Sequence, residues 1–128
     1  MSRPTEVATK EAPAAIGPYS QAIVHNGLVY CSGQIPLNPT TGELVTSDIE
    51  AETHQVMKNL QAVLRAAGSD LNAVIRTTIY LQNLENFAKV NDVYASYLSK
   101  PFPARATVQV AKLPRGANVE IDAIAHQL

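Results

Sequence analysis

Pro101 to Ala125, PFPARATVQVAKLPRGANVEIDAIA, decides how the rest of the chain is read. Pro101 and Pro103 lack amide donors and fix φ, so they end the helical pattern that precedes them. From Arg105 the residues alternate, Arg105, Thr107 and Gln109 against Ala106, Val108 and Val110, which is the period of a strand. Leu113-Pro114-Arg115-Gly116 has turn composition, and beyond it Val119, Ile121 and Ala123 alternate with Glu120 and Asp122. Read as a hairpin, the stretch brings one cation and two carboxylates onto a single polar sheet face.

Upstream, Val74 to Leu81 is β-branched and reads as a strand with Ile75, Thr77, Ile79 and Leu81 toward the core. Asn83 then caps a helix in which Leu84, Phe87, Asn91, Tyr94 and Leu98 share a stripe. Asn91 is a polar residue on that stripe. It is either buried and spends its amide on a neighbouring backbone group, as buried polar groups must, or projects into a pocket. Further back, Ser47-x-x-Glu50 forms a capping box before a helix of about five turns, which Gly68 stops. His54 falls on its solvated face.

Ala22 to His25, Asn26-Gly27 and Leu28 to Cys31 form the strongest hairpin signal, because Asn-Gly accepts the positive φ angles of a type I′ turn. Ser32-Gly33-Gln34 ends the second arm and Pro36 to Gly42 reads as an exposed loop. Gly17-Pro18-Tyr19-Ser20 is a turn, and residues 5–10 a short edge strand. The expectation is a single domain over 1–128, an α+β two-layer sandwich of a mixed β-sheet covered on one face by two helices.

Lys plus Arg (10) nearly balances Asp plus Glu (11), a formal charge of -1, so the chain has no basic excess for nucleic acid or an anionic membrane. The charged fraction of 16% lies below the roughly 25% usual for soluble domains, which points to surface buried in an oligomer. Cys31, the one cysteine, cannot form an internal disulfide, and no apolar run approaches a membrane span. Arg3 and Lys10 are offset by Glu6 and Glu11, unlike a transit peptide, so a cytoplasmic location is expected. His25, His54 and His126 show no metal-ligand spacing with each other or with Cys31, and there is no phosphate loop or nucleophile elbow. No cofactor and no metal are expected.

Arg105 offers a planar fork that matches a carboxylate two bonds at a time. Glu120 can orient a water, and Tyr19 can supply a phenolic hydroxyl. The alternative is that Arg105 pairs with Glu120 or Asp122 as a cross-strand ion pair.

The segments Ala14-Ala15-Ile16-Gly17-Pro18-Tyr19-Ser20-Gln21-Ala22, Ser32-Gly33-Gln34-Ile35-Pro36, Phe87-x-x-Val90-Asn91-x-x-Tyr94, Phe102-Pro103-Ala104-Arg105 and Val119-Glu120-Ile121-Asp122-Ala123-Ile124-Ala125 resemble the Rid (reactive intermediate deaminase) family, closest to its RidA branch. The resemblance implies a chorismate-mutase-like fold assembled as a homotrimer with sites between subunits. It implies hydrolysis of 2-imino acids, such as 2-iminobutanoate and 2-iminopropanoate, to 2-oxo acids and ammonia. By the same resemblance Arg105 would hold the substrate carboxylate and Glu120 the water, with Tyr19, Ser32, Gly33, Asn91 and Thr107 lining the pocket. Many relatives carry cysteine where Thr107 stands. Members have also been linked to chaperone-like behaviour and to ribonuclease or translation-inhibitor activity, the last disfavoured by the near-neutral charge.

Overall fold

The structure, a computed structural model, describes residues 3–128; the first two residues of the expected single domain lie outside them. Six strands, β1 (Thr5–Val7), β2 (Ala22–His25), β3 (Leu28–Gln34), β4 (Val74–Leu81), β5 (Ala104–Gln109) and β6 (Val119–His126), form one sheet in the order β1-β2-β3-β6-β4-β5. Helices α1 (Ile49–Ala66) and α2 (Phe87–Ser96) pack on one of its faces. Only β4 and β5 run parallel, so the sheet is mixed and the architecture is the expected α+β two-layer arrangement.

Local chemistry accounts for most elements. Asn26 (φ 51°) and Gly27 (φ 77°) both take the left-handed conformation that joins β2 to β3 without splaying them. The cap of α1 is Asp48, not Ser47: its backbone is extended and its Oδ1 accepts from the Ala51 amide at 2.7 Å. A carboxylate is the stronger acceptor beside a helix N-terminus, and Glu50 and Glu52 add to it in the first turn. Asn83 caps a 3-10 turn, Leu84–Asn86, that leads into α2. The expected edge strand over 5–10 is limited to Thr5–Val7. In the 36–42 loop, Pro36 and Leu37 are buried, and only the turn around Asn38 to Gly42 meets solvent.

The closing hairpin does not form. The strands β5 and β6 never pair, because β4 lies between them, parallel to β5 and antiparallel to β6. The β4–α2–β5 order is a crossover unit, which makes its two strands parallel neighbours. The chain then passes around the end of β4, where the Val110 amide bonds Leu81 O at 2.9 Å and the Gln82 amide bonds Asn118 O at 3.1 Å.

On the covered face Val56, Leu60, Val63 and Leu64 of α1 meet Val29, Ile79, Leu81, Val119 and Ile121 of the sheet, all fully or almost fully buried. Each such side chain stabilises the fold by about 2 kcal/mol. The opposite face is uncovered, and Tyr30, Ile75 and Val108 remain exposed there or at its rim. Ile75 was expected in the core with Thr77, Ile79 and Leu81. A bulge between Val74 and Arg76 leaves it unpaired and 46% exposed, while the other three are buried. Among the described residues no helix is long and apolar enough to cross a membrane.

Candidate functional site: two half-sites on opposite faces

Arg105 stands on the edge strand β5, in register with Thr77 of β4 and through it with Ala123 of β6. Both neighbours are buried on the helix side, so Arg105 leaves the sheet on that side. Its Nη1 donates to Asn91 Oδ1 at 2.7 Å, and its guanidinium carbon lies 5.4 Å from the Phe87 ring centre and 5.2 Å from that of Tyr94. Phe87, Asn91 and Tyr94 recur on one face of α2 at spacings of four and three. The rings attract the cation and the amide aligns it, while no carboxylate neutralises it. Its remaining donors are free for an anion. A cavity of about 400 Å³ opens there, lined also by Ala95, Phe102 and Pro103. Thr107 follows on the same side, in register with Ile79, and its buried hydroxyl has no hydrogen-bond partner.

Glu120 is in register with Tyr80 and so points to the other face. Its carboxyl group lies against Gly33: a Cβ built there would stand 2.9 Å from Glu120 Cδ, so a larger residue would push the carboxyl aside. A bulge brings Gly33 to this place. Cys31 pairs with Ala123 and Gln34 with Ile121, which leaves Ser32 and Gly33 opposite the single residue Asp122. The Ser32 hydroxyl donates to Ser20 O at 2.6 Å and its amide to Gln21 O at 2.9 Å, fastening the bulge to the segment that carries Tyr19. The exposed Tyr19 hydroxyl accepts from the Ile16 amide at 3.3 Å. These residues line a cavity of about 590 Å³ with Ile16, Ile35, Leu37, Pro114 and Arg115.

Burial, and secondarily the charge of Asp122, holds the Glu120 carboxyl above the ordinary carboxylate range. Asp122 itself accepts from the Tyr80 hydroxyl at 3.0 Å. Burial and Asp122 also push the Cys31 thiol up to about 12, so it stays protonated and is no nucleophile.

The expected residues therefore gather in two sets. Tyr19, Ser32, Gly33 and Glu120 share one cavity, and Asn91, Arg105 and Thr107 share the other side of the sheet. The ion pair of Arg105 with Glu120 or Asp122 does not exist, because β4 separates their strands and their side chains leave opposite faces. The Asn91 amide oxygen accepts from the Arg105 side chain and not from a backbone group, and Asn91 lines the Arg105 cavity. Sequence reasoning missed Phe87 and Tyr94 as the cradle of the cation, although their spacing around Asn91 carried the signal. It also missed Gln21, whose buried side chain holds Thr9, Ala12 and Pro13 through four hydrogen bonds and so shapes the cavity wall. A lone glutamine in a turn offers no such signal.

Fold and site together define a small two-layer α+β protein with a cation half-site and a carboxyl half-site on opposite faces of one sheet. The family described as Endoribonuclease L-PSP matches residues 9–127. The chain belongs to this family, the Rid family, and is RidA-like within it. It is 53% identical over 93% of its length to a putative regulator AldR of Lactococcus lactis, covering 94% of that protein. It is 49% identical over 94% of its length to a 2-iminobutanoate/2-iminopropanoate deaminase of Mus musculus, covering 90% of that protein. A solved structure of a Rid-family protein of unknown function from Yersinia pestis matches with a TM-score of 0.95 and 54% identity, over 97% of this chain and 99% of that one.

Proposed function

We propose that this chain is a hydrolytic deaminase of reactive 2-imino acids, among them 2-iminobutanoate and 2-iminopropanoate, and of their enamine tautomers. Its products are 2-oxo acids and ammonia, and its sites form between the copies of a homotrimer. The observation that carries this reading is the division of Arg105 and Glu120 between opposite faces, each in an open cavity. The groups needed to bind and hydrolyse an imino acid are present but meet only when a second copy supplies the missing half. The uncovered sheet face with Tyr30 and Val108, and the low charge content, suit such an assembly. The deaminase name of the mouse relative supports the same chemistry.

In this account Arg105, held by Asn91 and two rings, binds the substrate carboxylate through paired bonds. The buried, unpartnered Thr107 hydroxyl lies on the same side of the sheet. Glu120 of another copy takes a proton from a water as its oxygen bonds to the imine carbon, the C=N π pair moves to nitrogen, and Glu120 passes that proton to the nitrogen. Glu120 then takes the hydroxyl proton of the carbinolamine and hands it to the amine as the C–N bond breaks, so that ammonia leaves, the 2-oxo group forms and Glu120 is again a carboxylate. A carboxyl group whose pKa is raised by burial and by Asp122 suits both transfers. An imine is already electrophilic, so placement supplies most of the effect.

The test is a coupled assay in which an amino-acid oxidase or a threonine dehydratase generates the imine and semicarbazide traps what remains. Faster loss of trappable imine with this protein is expected; an unchanged rate would refute the enzyme reading.

A further inference from the structure

We propose that Arg115 forms a second anion subsite in the Glu120 cavity and fits this chain to 2-imino acids whose side chain ends in a carboxylate. The inference rests on the deaminase reading above. Arg105 is assigned to the carboxylate beside the reacting carbon, so a cation in the other cavity calls for a different anion.

Four observations carry it. Among the described residues Arg115 is the only cationic one lining the 590 Å³ cavity, whose other walls include the apolar Ile16, Ile35, Leu37 and Pro114. The backbone at Arg115 is left-handed (φ 58°, ψ 19°), as is Gly116 after it (φ 74°), a conformation that side chains other than glycine and asparagine seldom adopt. The turn is also fixed from beneath. Asn118 donates from its amide and from Nδ2 to the two carboxylate oxygens of Glu52, at 3.1 and 2.9 Å, and Glu52 is buried in α1. The Gly116 and Ala117 amides close the turn on Leu113 O and Pro114 O at 3.3 and 3.1 Å.

The guanidinium has no partner of its own. Among the described residues the one ion pair is Arg65 with Asp70, and Arg115 makes no hydrogen bond. Glu120 shares the cavity without pairing with it; the charge that bears on Glu120 is Asp122. An unneutralised fork on a pinned turn, facing a cavity with room beyond the reacting carbon, is suited to a second carboxylate.

The experiment compares the imines that flavin oxidases make from aspartate and from alanine, using the wild-type protein, Arg115→Ala, Arg115→Lys and Arg115→Gly. The last keeps the left-handed turn unstrained if alanine disturbs it. The expected result is that the ratio of kcat/KM for the aspartate imine over the alanine imine falls about tenfold without the guanidinium, with lysine between. Calorimetry should show the same order for binding of 2-oxoglutarate relative to 2-oxobutanoate. A ratio unchanged by these substitutions, or no wild-type turnover of the aspartate imine beside ready turnover of the alanine imine, overturns the subsite alone. No turnover of either imine overturns the deaminase reading as well.

Discussion

The surroundings of Arg105 and of Glu120 treat charge in opposite ways. Arg105 is exposed and lies against two aromatic rings with a neutral amide as its hydrogen-bond partner, so its charge is kept and merely aimed. Glu120 is half-buried against a glycine backbone with Asp122 on the same face, so its charge is made costly. In the proposed reaction the first would hold an anion and the second would exchange a proton. Because the sheet lies between them, neither half completes the other within one chain.

The difference can be broken by removing either half. Arg105→Ala is expected to lower kcat/KM for imine hydrolysis about a thousandfold while the fold persists, because an unanchored carboxylate loses paired charged bonds. Steady-state assay and circular dichroism together check this. Glu120→Gln should lower kcat about a hundredfold and leave 2-oxo acid binding nearly unchanged. In the wild-type protein kcat/KM should fall as pH drops through the raised pKa of Glu120, and the glutamine variant should lose that limb. Full activity in either variant would remove the corresponding role.

Smaller changes sharpen the contrast. Gly33→Ala places a methyl where the Glu120 carboxyl sits and should cost about tenfold in kcat, with no effect on the Arg105 side. Asn91→Ala should raise KM by about threefold to tenfold and spare kcat, since it disturbs only the aim of the cation. The smallest effect concerns stability. A carboxyl raised above its unfolded value of 4.5 favours the folded state below that pH, and the advantage is lost as pH rises through the folded value. Glu120→Gln should therefore melt slightly higher than wild type at neutral pH and level with it at pH 4. Melting curves at the two pH values decide this.

The elements were legible wherever chemistry is local. Asn26-Gly27, the three-and-four spacing of α1 and the β-branched run of β4 each state their own conformation. The order of strands was not, since Arg105 and Glu120 lie on strands that alternate identically whether paired or separated by β4. Whether Arg105 faces the same way as Glu120 depends on the parallel register of Thr77 with Arg105, which no residue near Arg105 encodes. The bulge at Ser32-Gly33 was equally hidden, because a glycine at the end of a strand pattern also reads as a simple stop. The family resemblance named the site residues without saying on which face each would lie.

The central claim, that working sites combine Arg105 of one copy with Glu120 of another, is tested most directly by mixing two inactive variants. Arg105→Ala and Glu120→Gln proteins are unfolded together, refolded as a mixture and assayed for imine hydrolysis. If halves come from different copies, random assembly at equal amounts rebuilds both halves at about a quarter of the sites, and activity returns to roughly that fraction of wild type. Activity no greater than the sum of the separate variants, in a mixture shown to have co-assembled, would contradict the account.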